Sequence, residues 1–260
     1  MLINPDETQD RLTSKLRIIQ KRRGHRAASD DTLLAWAAAR ACPHAIRILD
    51  LGSGKGTVAM LLLQRLPRCR VTGLEALEVN HDLALRNMLL NGFAHRWEPR
   101  LGDLRDRSAL SGEPPFDLVT GAPPFMPVGS GVMPADVQRA AGRFELRGGV
   151  REYAEAAARH LAPCGSVVFL MDGLEQSRVR AEQALAASGL CPHTVIAVCP
   201  CPGRNPIYRI FEANPGPGPM TEESLSIRPA GSNRFSAEFE AIRRDMDCAA
   251  EMCGGAREDA

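Results

Sequence analysis

The octapeptide Asp50-Leu51-Gly52-Ser53-Gly54-Lys55-Gly56-Thr57 stands between a short apolar run, Arg47-Ile48-Leu49-Asp50-Leu51, and a helical pattern over residues 58–66. Its glycines let the backbone turn tightly and approach a ligand with no Cβ in the way, while the following helix points free N–H groups at the same place. A dinucleotide fingerprint needs glycine at the sixth position from Gly52, where this chain has Thr57. A Walker phosphate loop needs Ser or Thr after Gly-Lys, and here Gly56 follows Lys55. The turn therefore points to a strand–turn–helix ligand site, with both of those nucleotide readings weakened.

Outward from the turn, strands alternate with helices. The helix over 58–66 ends at Pro67. A strand over 70–75 follows, then a helix over 80–91 with Gly92 at its C-terminal end, and a strand over 99–102. A further strand over 116–120 closes on Gly121-Ala122-Pro123-Pro124-Phe125. A long helix over 149–161, a strand over 166–171, a helix over 174–188 and strands over 193–198 and 207–212 complete the pattern. This α/β alternation predicts a Rossmann-like, mostly parallel, seven-stranded sheet covered on both faces. The last two strands share the short Pro/Gly-rich turn 200–206 and should pair antiparallel as a C-terminal edge hairpin. Residues 45–213 make this core. Before it, residues 1–44 read as a basic arm and a helix over 33–40, capped from Ser29-Asp30-Asp31-Thr32 and stopped by Pro43. After it, residues 214–260 read as a Pro/Gly linker and a tail whose residues 252–255 should be poorly ordered.

The chain has 260 residues, 44% hydrophobic and 24% charged, with formal net charge +1, values that exclude a disordered, fibrous or coiled-coil protein. No apolar run approaches the roughly 18 residues of a membrane span, and Asp6, Glu7 and Asp10 precede any basic residue, so neither a membrane protein nor a secretory signal is expected. A cytoplasmic location follows, in which the 8 cysteines are reduced thiols. Cys191, His193, Cys199 and Cys201 lack the Cys-x-x-Cys knuckles of structural zinc sites, and no metal is expected. Arg11, Lys15, Arg17, Lys21, Arg22, Arg23 and Arg26 crowd one segment, which reads as a solvated face or as a phosphate-binding arm.

Glu75 ends the second strand of the core about twenty residues beyond the turn, where an acid can accept hydrogen bonds from both ribose hydroxyls. With Gly102-Asp103-Leu104 after the third strand and the aromatic loop after the fourth, the pattern resembles the class I S-adenosylmethionine-dependent methyltransferases. The resemblance implies S-adenosyl-L-methionine as cofactor. Asp50, Gly52, Ser53, Gly54 and Gly56 would lie under its methionine portion, Glu75 at the ribose, and Asp103 with Leu104 near the adenine.

The loop Ala122-Pro123-Pro124-Phe125 is similar to the Asn-Pro-Pro-Tyr/Phe loop of the adenine N6 branch of that fold, with Ala122 in the place of Asn. Ile19-Gln20, Gly24-His25-Arg26 and Asp31-Thr32-Leu33-Leu34-Ala35 resemble the N-terminal signature of the bacterial adenine N6-methyltransferases of the valine tRNA anticodon loop. Arg143-Phe144-Glu145, Leu161-Ala162-Pro163-Cys164-Gly165 and Ser226-Ile227-Arg228 also resemble that family. It implies methyl transfer to an adenine amine in tRNA, with Ala122, Pro123, Pro124 and Phe125 forming the catalytic loop and Phe125 stacking on the base or facing the methylsulfonium. With no Asn side chain, the amine needs another hydrogen-bond acceptor, and the nearest in sequence are Thr120 and the Gly121 carbonyl. Two alternatives remain open at this point: a small-molecule amine, hydroxyl or heteroaromatic acceptor, and a catalytically decayed module that binds RNA or a partner. Arg26 and Asp31 read either as a pair closing over the cofactor or as a structural ion pair, and His160 as an exposed or capping residue rather than a base.

Overall fold

The computed structural model describes residues 3–248. In chain order its elements are β1 (Glu7–Arg11), β2 (Arg17–Lys21), α1 (Ser29–Ala41), β3 (Arg47–Leu51), α2 (Thr57–Arg65), β4 (Arg70–Glu75), α3 (Glu78–Leu90), β5 (Trp97–Leu101), β6 (Phe116–Gly121), α4 (Val137–Arg143), α5 (Val150–His160), β7 (Leu161–Asp172), α6 (Glu175–Ala187), β8 (Cys191–Cys199), β9 (Tyr208–Asn214), β10 (Thr221–Ser226) and α7 (Ala237–Asp245). Parallel ladders join β5 to β4, β4 to β3, β3 to β6 and β6 to β7. Strand β9 lies antiparallel between β7 and β8, and β10 continues parallel beyond β8. Successive residues of each inner strand enter opposite cores, as expected of a sheet buried on both faces. Ile48, Leu118, Val168 and Ile210 pack with α1 and α2, while Leu49, Val119, Val167 and Phe211 pack with α5 and α6.

Two expectations change. The sheet has eight strands in the order β10-β8-β9-β7-β6-β3-β4-β5, so the β8–β9 hairpin is not at the edge: β10 covers β8. The eighth strand comes from the segment read as linker and tail. Arg40 on α1 holds it in place by reaching both Glu212 of β9 and Glu223 of β10 at 2.7 Å. Helix α7 follows, capped by Ser236, whose Oγ accepts the Phe239 N–H at 3.0 Å, and buries Phe239 and Ile242 against the α1 side. Residues 252–255 lie outside the described residues.

The second change is at the other end, where the basic arm is a folded antiparallel hairpin of β1 and β2. Its outer edge is satisfied by side chains of α3. Asn87 accepts the Ile19 N–H at 2.6 Å and donates to the Ile19 carbonyl at 3.0 Å, and Asn91 does the same for Arg17 at 2.9 and 2.8 Å. Glu7 is only 1% exposed and is compensated by Arg86, which donates through two nitrogens at 2.7 and 2.8 Å, and by Lys21 at 3.2 Å. The Arg86 guanidinium holds the Glu7 carboxyl well below the usual carboxylate range. Lys21, Arg26 and Lys15 thus form ion pairs with Asp6 and Glu7, Asp10 and Asp247, leaving Arg11, Arg17, Arg22 and Arg23 as exposed cations of the segment with no ion pair among the described residues.

Candidate active site

The glycine turn bridges β3 and α2 with Gly52, Gly54 and Gly56 all at positive φ, +62°, +56° and +82°. At Gly52 an added Cβ would stand 2.1 Å from the Tyr153 hydroxyl, whereas at Gly54 the nearest atom is 4.0 Å away. Gly52 is thus required by a close approach from α5, and Gly54 leaves open space over the cleft. Glu75, at the end of β4, locks the turn: its Oε2 accepts the Gly54 N–H at 2.8 Å and its Oε1 the Leu77 N–H at 2.7 Å. Each carboxylate oxygen keeps a further lone pair, and Glu75 lines the cleft, so the group can accept two hydroxyl hydrogens without leaving its anchors.

One cleft collects nearly all the residues singled out from the sequence: Asp50, Gly52, Ser53, Gly54, Glu75, Asp103 and Leu104 together with Ala122, Pro123, Pro124 and Phe125. Gly56 is set back, capping α2 against Met88. Asp103 is gripped by Arg105, whose Nε and Nη2 donate at 2.9 and 2.6 Å and lower its pKa. In the loop, Pro123 and Pro124 are buried, Ala122 is exposed and Phe125 is half-buried. Backbone bonds between Met126 and both Arg143 and Glu145, at 2.9 and 3.0 Å, fix the loop, and Arg180 donates to the Phe125 carbonyl at 3.3 Å while pairing with Glu145.

Thr120 does not serve as the replacement acceptor. It is fully buried and its hydroxyl donates to Asp50 Oδ1 at 2.9 Å. Asp50 Oδ2 and the Ser53 hydroxyl are buried with no protein partner among the described residues. Burial pushes the Asp50 carboxyl up to about 7. Arg26 likewise turns away from the cofactor role: it pairs with Asp10 at 2.9 Å, while Asp31 lines the cleft and accepts the Ala28 N–H at the start of α1. His160 ends α5 and does not line the cleft.

Sequence reasoning missed Lys55, Tyr153, His25, Asp30 and Arg147, which all line the cleft. Lys55 is 5% exposed, makes no ion pair among the described residues, and has its pKa lowered by burial. Desolvation and the Asp31 carboxylate raise Asp30 to about 6. Lys55 sat within the quoted turn but was weighed only as a Walker lysine. Tyr153, one of 2 tyrosines in the chain, carried no signal beyond its place on an apolar helix face.

The cleft opens at the carboxyl ends of β3 and β6, where the crossovers diverge to either side of the sheet, the usual ligand position in open α/β folds. Sheet order, turn and cleft define a class I methyltransferase fold. A predicted O-methyltransferase of Agrobacterium tumefaciens superposes with TM-score 0.64 at 21% identity, covering 85% of this chain and 98% of its own. No protein-family model matches the chain. In sequence it is 30% identical over 227 residues to a tRNA1(Val) (adenine(37)-N6)-methyltransferase of Porphyromonas gingivalis strain W83, covering 82% of this chain and 85% of the relative. A protein of the same name from Tolumonas auensis is 28% identical over 226 residues, covering 86% and 91%. The chain belongs to the tRNA1(Val) (adenine(37)-N6)-methyltransferase family, as the loop and N-terminal motifs implied, and it is a methyltransferase. Among the described residues no helix is long and apolar enough to cross a membrane, and no three His, Cys, Asp or Glu side chains converge as a metal site.

Proposed function

We propose that this protein transfers a methyl group from S-adenosylmethionine to the N6 amine of an adenine in tRNA, in the cytoplasm. The observation that carries the reading is the convergence, in one cleft of a chain of this family, of the glycine turn, Glu75 and the loop 122–125. The residues present fit the cofactor: Gly54 leaves room for it, Glu75 has lone pairs for the ribose hydroxyls, and Asp50 Oδ2 with the Ser53 hydroxyl are polar atoms in want of partners. Asp50, Gly52, Ser53 and Gly54 would hold the methionine end, with Gly56 shaping the turn behind them, and Asp103 and Leu104 the adenine. Bound there, the cofactor supplies an electrophilic methyl group on a sulfonium. Pro123 and Pro124 stiffen the acceptor loop, and Phe125 offers a ring for a base to stack on, worth about 1–3 kcal/mol. Arg147 lines the cleft, exposed Arg139 and Arg143 are on α4, whose Gln138 and Ala141 also line it, and exposed Arg22 and Arg23 follow β2; these cations would take phosphates.

A second reading has one observation in its favour. Ala122, exposed in the cleft, brings no amide to an adenine amine, which suits a small-molecule acceptor instead. Transfer of a radiolabelled methyl group to total tRNA, set against transfer to a metabolite extract, separates the two. Labelled tRNA carrying N6-methyladenine is the expected result; label only in the extract overturns the tRNA reading. Absence of transfer to either, with S-adenosylhomocysteine still bound, leaves the cofactor-binding module as the account.

A further inference from the structure

An exocyclic adenine amine is a poor nucleophile because its lone pair is delocalised into the ring, and acceptors placed on its N–H groups draw that lone pair out. The loop offers only backbone at Ala122, and Thr120 is spent on Asp50. Tyr153, which also lines the cleft, packs its ring against Gly121, the residue before Ala122, and its hydroxyl against Gly52 of the glycine turn. The Tyr153 ring lies across the ends of β3 and β6: its Cδ1 and Cε1 are 2.9 and 3.1 Å from where a Cβ would stand on Gly121, and its hydroxyl 2.1 Å from the same point on Gly52. Leu51 and Gly121 are ladder partners at that spot, so the ring crosses two adjoining strands where only glycines leave room for it.

The ring is held in one orientation. It is 6% exposed, packs edge-on to Phe169 with centroids 6.1 Å apart, and belongs to the core under α5. A buried phenol normally finds a partner within the protein. The Tyr153 hydroxyl has none among the described residues, yet it is not sealed off either: it lines the cleft. Burial raises the phenol pKa, so the group stays protonated at neutral pH and acts through its lone pairs, not as a base.

Resting on the function proposed above, we propose that the Tyr153 hydroxyl oxygen is a catalytic group: it accepts the hydrogen bond of the acceptor amine that the loop, with Ala122 at its head, has no side chain to accept. In the transfer the amine nitrogen forms the new N–C bond, the carbon–sulfur bond breaks with its electron pair going to sulfur, and one amine proton passes to water. Tyr153 keeps its own proton throughout. A preorganised acceptor of this kind strengthens as positive charge develops on nitrogen, and so acts on the transition state more than on binding.

The test is Tyr153→Phe in the full chain, which keeps the ring and removes the oxygen. The expected result is a kcat for tRNA methylation lower by about 10²- to 10³-fold, with the affinities for S-adenosylhomocysteine and for tRNA within about threefold of the parent. The same substitution made with Ala122→Asn, which brings a side-chain acceptor to the loop, should cost less, on the order of tenfold. A merely structural tyrosine would lose the same factor in both backgrounds. Equal losses, or a Tyr153→Phe kcat within threefold of the parent, overturn this proposal alone; no tRNA methylation by the parent chain overturns the tRNA reading and this proposal with it.

Discussion

Replacing Gly52 by alanine probes the close approach on which the centre of the cleft is built. The backbone there has φ +62°, a left-handed conformation that costs a Cβ-bearing residue about 1–2 kcal/mol. The new Cβ would also stand 2.1 Å from the Tyr153 hydroxyl and 3.1 Å from ring Cζ. The hydroxyl must therefore retreat while the ring is braced by Phe169, an overpacking that typically costs about 1–3 kcal/mol. Gly52→Ala alone should destabilise by about 2–5 kcal/mol on these two effects together. In a Tyr153→Phe background the oxygen is gone and the nearest atom is the ring carbon at 3.1 Å, so the backbone cost of about 1–2 kcal/mol remains, with a contact that a shift of a few tenths of an ångström relieves. The coupling between the two positions is then about 1–3 kcal/mol, within the range seen for residues in contact. Urea unfolding of the four proteins, without ligand, followed by fluorescence and circular dichroism, measures it. A Gly52→Ala cost that is the same in both backgrounds, within about 0.5 kcal/mol, would show that Tyr153 does not occupy this place and would remove the geometric basis of its catalytic role.

Glu75→Ala should weaken S-adenosylhomocysteine binding in calorimetry by about 1.5–3 kcal/mol, the loss of a charge-assisted acceptor, and should lower the unfolding temperature of the free protein because the Gly54 and Leu77 N–H groups lose their partner; unchanged affinity removes Glu75 from the ribose site. The Asp50 carboxyl, raised to about 7 by burial, binds its proton more tightly folded than unfolded, so its contribution to stability is present at low pH and is lost as pH rises from the usual carboxylate range towards 7. Denaturant midpoints measured from pH 5 to 8 should fall less steeply in Asp50→Asn than in the parent, and parallel profiles would contradict this. Changing exposed Arg139, Arg143 and Arg147 to Gln should reduce the slope of log tRNA affinity against log salt by about 2, at roughly 0.7 per single-stranded phosphate, while sparing cofactor binding; an unaltered slope means that phosphates do not sit there. Truncation before Ala27 is no substitute for that experiment, because it would strip Ile18, Ile19 and the buried Glu7 from α3 and should unfold the N-terminal side of the molecule.

The strands read most directly in advance are those buried on both faces. Apolar runs such as Arg47–Leu51 and Phe116–Gly121 need no partner to be recognised, since any neighbour in a parallel sheet will do. Strands β1 and β10 could not be read this way. Glu-Thr-Gln-Asp-Arg and Thr-Glu-Glu-Ser-Leu-Ser carry no apolar alternation, and their pairing is stabilised by groups remote in sequence: Arg86 beneath Glu7, and Arg40 joining Glu212 to Glu223. The basic cluster in the first residues suffered the same fate, because a charge run shows how many cations it holds and not which of them acidic neighbours will neutralise.

Within the site the division falls between backbone and side chain. The glycine turn, the acid about twenty residues beyond it and the Pro-Pro-Phe loop were legible from sequence alone, and it was their resemblance, together with that of the N-terminal motifs, to known methyltransferases that carried the class and the family. Which hydroxyl stays free of a partner at the cleft, among the described residues, was not legible. Thr120 and Tyr153 are 33 positions apart in the chain, and sequence proximity to Ala122 favoured the former. Packing reverses the choice: β6 turns Thr120 inward to Asp50, while α5, folding back across β3 and β6, carries Tyr153 over two glycines into the cleft. Local sequence specifies strands, turns and the residues that only a turn can use; the direction in which a polar side chain spends its hydrogen bond is set by whatever the tertiary fold brings within 3 Å of it.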